Sequence, residues 1–309
     1  MAGFMPSHPL KTAVLFLVFS RPDTTRQVFE QIRKAKPPRL YIAADGPREN
    51  VPGEAERVKE VREYVLNNID WDCKVKTLFR DKNLGCKYAV SSAITWFFEN
   101  EEMGIILEDD TVPSLSFFWF CEELLERYKD DLRIGHIAGY NHFPNRVRDF
   151  DYFFSLFPGI WGWATWGDRW KYYDVELKKF MKRDVLFGLR SPRMVKYLCK
   201  IFEKVRVGKI NTWDFQWMYT LITNGFLSIR PSKNLVLNIG FGSHATHTVQ
   251  VGSEILQNYN VEIDVRELRH PSKFIPNFDE DVLFFTKRLK VEKLSNLLHK
   301  IRGVIGALF

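Results

Sequence analysis

Short apolar runs alternate with amphipathic stretches through the first 130 residues of the chain. Thr12 to Phe19 is a continuous apolar run of strand length. Ser20-Arg-Pro-Asp23 has the form of a capping box, with Ser20 as cap. It opens a helix to about Lys36 that places Val28, Ile32 and Ala35 on one face, and Pro37-Pro38 stops it. Arg39 to Ala44 predicts a second strand, closed by the Asp45-Gly46-Pro47 turn. Glu54 to Asn67 predicts a helix and Lys74 to Phe79 a third strand. Asn83-Leu-Gly85 opens a helix to about Glu99. Gly104 to Leu107 is a fully apolar fourth strand that runs into Glu108-Asp109-Asp110, and a further helix follows from about Ser116 to Lys129.

This alternation predicts an α/β fold with a mostly parallel central sheet covered by helices. Ligands of such sheets bind outside the C-terminal ends of the strands. Ser20-Arg21, Asp45-Gly46 and Glu108-Asp109-Asp110 all stand at predicted strand ends, so the fold would gather them on one rim. The first strand lacks GxGxxG, which argues against a dinucleotide site. The second half is less regular. It carries an aromatic segment from Phe157 to Gly167, a mixed charged segment around 171 to 210, and Trp213-Asp-Phe-Gln-Trp-Met218. Leu227 to Ile229 and Leu235 to Ile239 look like short strands, and Gly240 to Thr248 is a Gly- and His-rich loop. No internal repeat or low-complexity linker divides the chain.

The chain has 309 residues, of which 45% are apolar and 27% charged, which excludes a disordered protein. Its net charge of +7 suits an anionic partner: a nucleotide, a phosphate or an acidic membrane. Basic residues are mixed with acids over most of the chain, which argues against a nucleic-acid protein. Cys73, Cys86, Cys121 and Cys199 form no CxxC or zinc spacing, so a reducing compartment and incidental thiols are expected. No run reaches transmembrane length, and Val14 to Phe19 is too short for a signal-peptide core. The expectation is a cytoplasmic protein, with any membrane contact peripheral, on the inner face. From Thr286 to Phe309, six Lys and Arg stand against Glu292 alone. Leu residues at helical spacing make this tail a basic amphipathic helix, for an anionic membrane or for docking on the domain.

Three adjacent acids repel one another and are costly to hold without a cation or hydrogen-bond donors. Carboxylates suit Mg2+ or Mn2+, which can bridge Asp110 to a diphosphate, although a solvated strand end reads the same way. Arg21, at a helix start, suits a phosphate, or it is a surface Arg beside Asp23. Asp45 could accept from a base N–H, or it caps Gly46. Arg80 and Lys87 flank Asn83-Leu-Gly85 within reach of a diphosphate, or are solvated. Asp214, between Trp213 and Phe215, is a candidate general base, or the N-cap of a helix from Phe215 to Thr223. Trp161, Trp163 and Trp166 would stack on sugar rings or pack in the core. His244 or His247 could complete a metal site with Asp110, or be an ordinary loop histidine.

These segments, in this order from about residue 12 to 250, resemble nucleotide-sugar glycosyltransferases of the GT-A fold, and among them the N-acetylglucosaminyltransferase I-like group. Val18-Phe-Ser-Arg21 is similar to the first strand end, where an Arg meets the donor diphosphate. Ala44-Asp45-Gly46 is similar to the place where an Asp reads uracil. Leu107-Glu-Asp-Asp110, with Pro113 and Phe117-Phe118, resembles the metal-binding EDD and its helix. Phe157-Pro-Gly-Ile-Trp-Gly-Trp163 resembles the FPG…GW segment of the sugar pocket. The resemblance implies Asp110 as metal ligand, with Asp109 facing the donor sugar or ribose and Glu108 beside it. It further implies a single domain over 1–285, with a donor half over about 12–130 and an acceptor half over about 131–250. The donor would be a UDP-sugar, the acceptor a glycan or lipid-linked saccharide, and the anomeric configuration would invert.

Two departures matter. The family pattern near the base is Trp-Asp-Asp-Trp-Met, with the second Asp as base. Here Trp213-Asp-Phe-Gln-Trp-Met218 is one residue longer and has one Asp. Asp214 is the base if the Trp-Asp end sets the alignment, and Gln216 takes the place if the Trp-Met end does. Gly242-Ser-His-Ala-Thr-His247 keeps the family's Ser-His, with His244 on the metal, and adds a second His. A sugar-phosphate nucleotidyltransferase and a non-catalytic glycan-binding protein stand as alternatives.

Overall fold

The computed structural model describes residues 4–144, 146, 149–189, 191–240 and 261–288. The first half alternates as expected: β1 (Val14–Val18), α1 (Pro22–Ala35), β2 (Arg39–Ala44), α2 (Glu54–Asn67), β3 (Lys74–Phe79), α3 (Gly85–Phe98) and β4 (Met103–Glu108). A three-residue strand, β5 (Thr111–Pro113), precedes α4 (Leu115–Tyr128). The second half holds β6 (Ile134–Ala138), β7 (Tyr152–Ser155), β8 (Trp163–Trp166), α5 (Gly167–Trp170), α6 (Lys182–Leu189), α7 (Pro192–Arg206) and α8 (Asp214–Asn224). β9 (Leu227–Pro231), β10 (Val236–Asn238) and α9 (Phe278–Leu283) follow, and a π-helical turn, Phe284–Arg288, ends the described chain.

Eight strands form one sheet in the order β3-β2-β1-β4-β8-β6-β9-β7. β1, β2, β3 and β4 run parallel, and β6 pairs parallel with β9. β8 lies antiparallel between β4 and β6, with Ala164 opposite both Ile105 and Ile137. The ends of β1, β2, β4 and β6 therefore open on the same rim as the start of β8. β1 shows why the sheet is covered on both sides. Val14, Phe16 and Val18 pack with α1 and α4, while Leu15 and Leu17 pack with α3 and a Trp cluster. The α/β class and the mostly parallel sheet are as expected.

Two local expectations are corrected. Ser20 does not cap α1. The cap position is Arg21, because Pro22 fills the first helical position with its fixed φ. Asp214 does not cap α8; Trp213 does, and Asp214 is the first residue of the helix. Among the described residues no helix is long and apolar enough to cross a membrane. The tail beyond Arg288, expected to be a basic amphipathic helix, lies outside the described residues.

Candidate active site

The rim is built around the end of β4. The strand stays apolar through Leu107, then turns sharply, with the Thr111 hydroxyl donating to the Glu108 carbonyl at 3.0 Å. Asp109, only 2% exposed, accepts from the Phe19 backbone N–H at 3.2 Å. The Arg21 guanidinium forks across the pair, donating to Asp109 Oδ1 through Nη2 and to Asp110 Oδ2 through Nη1 at 2.8 Å. Residues 89 positions apart are thus joined at the ends of adjacent strands. β5 carries the chain away from Asp110 and pairs antiparallel with β10. Ile239 N donates to the Asp110 carbonyl at 2.8 Å, which seats Gly240 against the Asp110 side chain. A Cβ on Gly240 would lie 2.0 Å from Asp110 Oδ2, so only glycine fits without moving the carboxylate.

Burial, with the nearby charges of Asp110 and Asp109, pushes the Glu108 carboxyl up to about 8. Burial likewise raises Asp109, to about 6, against the opposing pull of Arg21. Burial works against the Arg21 charge, but Asp109 and Asp110 outweigh it and hold the guanidinium protonated. Asp214 belongs to the same field: its charge acts on Glu108. Its Oδ1 accepts from the Thr212 hydroxyl and from Phe215 N at 2.9 Å. Gln216 is fully buried and donates to the carbonyls of Thr212 (2.6 Å) and Val175 (3.2 Å), so it faces the interior.

Cys86, expected to be incidental, stands among these charges. Burial pushes its thiol up to about 12, with Glu108, Asp214 and Asp45 adding to the shift and Arg21 opposing it. At neutral pH it is an inert thiol that marks where the four charged groups converge.

The remaining candidates divide. Asp45 is on the rim, but its oxygens are engaged. Oδ1 accepts from Gly46 N (3.0 Å) and Leu84 N (2.9 Å), and Oδ2 from Leu84 N and Gly85 N (both 3.0 Å). It closes the start of α3, where Gly85 takes a φ of 75°, and these bonds use the acceptor sites that a nucleobase would need. Arg80 donates to Ser92 Oγ at 2.8 Å, along α3. Lys87 is buried and paired with Glu176 at 2.8 Å. Trp161 is half-buried at the rim, its ring 4.6 Å from Tyr140. Trp163 is fully buried, stacked on His136 and Trp213, and belongs to the core. Trp166 is also core, its Nε1 donating to the Leu125 carbonyl at 3.1 Å. His244 and His247 lie outside the described residues.

The expectations missed the end of β6. Asn141 and Asn234 are each 1% exposed, and Asn141 N donates to Asn234 Oδ1 at 2.7 Å. Their Nδ2 atoms are buried with no hydrogen-bond partner among the described residues. The signal was a polar residue just past a strand, as at Asp45, but β6 itself was not recognised. His136, inside β6, links two parts of the second half. Trp217 Nε1 donates to its Nδ1 at 3.1 Å, and its Nε2 donates to the Gly159 carbonyl at 3.0 Å. Burial lowers its pKa to about 3, so it stays neutral. A cavity of about 530 Å3 lies far from this chemistry, beside Thr12, Arg39 and Met103 at the starts of the strands.

The described residues contain no cluster of three metal-ligating side chains. The Asp110 side chain is 15% exposed, and Arg21 lies on it. A divalent ion would have to draw its other ligands from a bound diphosphate and from beyond the described residues.

No protein-family model matches the chain, and no curated protein matches it in sequence. Among solved structures, HddC from Yersinia pseudotuberculosis is similar over 41% of this chain and 57% of its own, with 11% identity and a TM-score of 0.29. The apo-form glycosyltransferase GlyE of Streptococcus pneumoniae TIGR4 is similar over 71% and 44%, with 13% identity and a TM-score of 0.35. Apo mouse xyloside xylosyltransferase 1 is similar over 69% and 81%, also with 13% identity and a TM-score of 0.35. The chain thus spans about half the length of the first two. Likeness at this level says nothing of chemistry.

Proposed function

We propose that the protein is a GT-A-type glycosyltransferase that moves a sugar from a nucleotide-diphosphate donor to a hydroxyl of a glycan or lipid-linked saccharide. The observation that carries this reading is the meeting of Arg21, the three acids at the end of β4 and Asp214 on one rim. Arg21 is the cation for the leaving diphosphate, and charge developing there is what a preorganised guanidinium stabilises. Asp214 takes the proton of the acceptor hydroxyl as it attacks the anomeric carbon from the opposite face, which inverts the configuration. Of the two alignments of its segment, the one with Asp214 as base is supported, because Gln216 is turned inward. Trp161, with Tyr140 beside it, offers a half-buried aromatic face at the rim for a sugar ring.

UDP is favoured as carrier through the resemblance at Asp45 alone, since in this structure Asp45 is held by α3. Asp110 is the residue that would hold Mn2+ or Mg2+, with His244 as the second protein ligand suggested by the resemblance. A metal so bound would offset the diphosphate charge.

The test is calorimetric titration of a nucleotide and nucleotide-sugar panel, with and without Mn2+, into the protein and its Asp110→Ala variant. Binding of a uridine diphosphate sugar that fails in the variant is expected. Folded protein that binds no nucleotide under any condition would end the proposal. Asp214→Asn should bind donor normally and lose turnover by about 100-fold or more. Unchanged turnover would remove Asp214 from the role.

A further inference from the structure

The charge of this protein is concentrated. Between Lys178 and Lys209 there are eleven Lys and Arg against two acids, Asp184 and Glu203, an excess of nine. The whole chain has an excess of +7, so the other residues together are slightly acidic. This segment is the helix pair α6 and α7. α7 buries Met194, Leu198, Cys199, Phe202 and Val205 against the domain. Its opposite face carries Arg193, Lys196, Lys200 and Lys204, all exposed and at the three- and four-residue steps that keep them in one row. α6 turns Val185 and Leu189 inward and leaves Leu186 47% and Phe187 80% exposed, with Met181 just before the helix 44% exposed. Lys178, Lys179, Lys182 and Arg183, all exposed, flank Met181 in sequence and lead into this helix.

A row of cations beside protruding apolar side chains is what an anionic lipid surface selects. The charges meet the headgroups, and Leu186 and Phe187 reach the acyl boundary. A nucleic-acid duplex would use the row of cations, but its bases are already stacked on one another and gain little from a Phe held in water. The last described turn of the chain packs on the same helix. Phe285, in the last described turn, is fully buried with its ring 5.2 Å from Tyr197 of α7.

We propose that the exposed face of α6 and α7 docks the protein on an anionic lipid bilayer. α6 and α7 both pack on α8, the helix that begins at Asp214. Docking would therefore hold a membrane surface one helix away from the candidate base. The docking does not depend on the transferase chemistry and is tested without it.

The experiment is vesicle flotation of the full chain, using phosphatidylcholine alone and phosphatidylcholine mixed with phosphatidylglycerol, at low and high salt. The protein should float only with the anionic vesicles and be released by salt. Each Lys near such a surface is worth about fivefold, so Lys196→Glu with Lys200→Glu should weaken binding by roughly 20-fold or more. Phe187→Ser should weaken it about tenfold. All three positions are exposed, so melting temperatures should hold, and circular dichroism checks that they do. Three results would overturn the proposal. One is no binding to anionic vesicles. Another is full binding by both variants, which would put the contact elsewhere. The third is equally tight binding of duplex DNA together with no effect of Phe187→Ser, which would make the face a polyanion site.

Discussion

Arg21→Ala offers a quantitative test of the rim. The side chain is 23% exposed and holds two carboxylates, one of them, Asp109, nearly inaccessible. Removing it leaves Asp109 with the Phe19 N–H as its described donor, and three adjacent acids with no cation. Breaking a largely buried pair by deleting one partner costs about 3 kcal/mol. The pH dependence has a definite sign. The Asp109 pKa is already raised in the folded protein, from 3.8 to about 6, and loss of Arg21 raises it further. A raised folded pKa gives stability that is present at low pH and lost as pH rises through it. The deficit of the variant should therefore be small at pH 5, where Asp109 is protonated, and reach about 3 kcal/mol by pH 8. Urea unfolding at both pH values measures it. Asp109→Asn in the Arg21→Ala background should recover most of the loss at pH 8 without recovering nucleotide binding. A variant as stable as the parent at pH 8, or one with a larger deficit at pH 5, would refute the reasoning.

Three further outcomes are expected. Gly240→Ala must push the Asp110 carboxylate aside; turnover in a donor assay should drop about 100-fold while the melting temperature changes little. His136→Phe keeps the ring volume but leaves Trp217 Nε1 and the Gly159 carbonyl unpaired in the core; urea unfolding should show a loss of about 2–4 kcal/mol. Asp281 is raised by burial to about 6, against hydrogen bonds from Ser155 and Leu156 N. Its contribution is therefore full below 3.8 and declines as pH rises through about 6, so Asp281→Asn should flatten the stability profile across that window.

The first half of the fold is legible in the sequence because its signals are local. β2, α2 and β3 have the expected bounds to the residue, since each is a periodic run closed by Pro, Gly or Asp. The second half is hidden where a strand carries the wrong residues for a strand. β6 is Ile134-Gly-His-Ile-Ala138, and its His136 is tolerated in the core only through Trp217 and Gly159, distant in sequence. β8, Trp163-Ala-Thr-Trp166, looks like an aromatic patch and not a strand, so Trp163 could not be assigned to the interior. At the rim, the grouping of Arg21 with the three acids follows from strand order alone. What binds Asp45 and Lys87 does not: their partners, at the start of α3 and at Glu176, are set by packing some 40 and 89 positions away.

The place of β8 in the sheet has a consequence for recombination. It comes from the second half of the chain, yet it is hydrogen-bonded to β4 on one side and to β6 on the other. A cut near residue 131 would leave β4, with its buried Ile105 and Ile106, as an open edge ready to pair with another chain. The strands β1 to β4 therefore cannot be moved between proteins as a cassette. Any graft that keeps them soluble must carry β8 along, and with it the approach to Trp161 and the stack that supports α8.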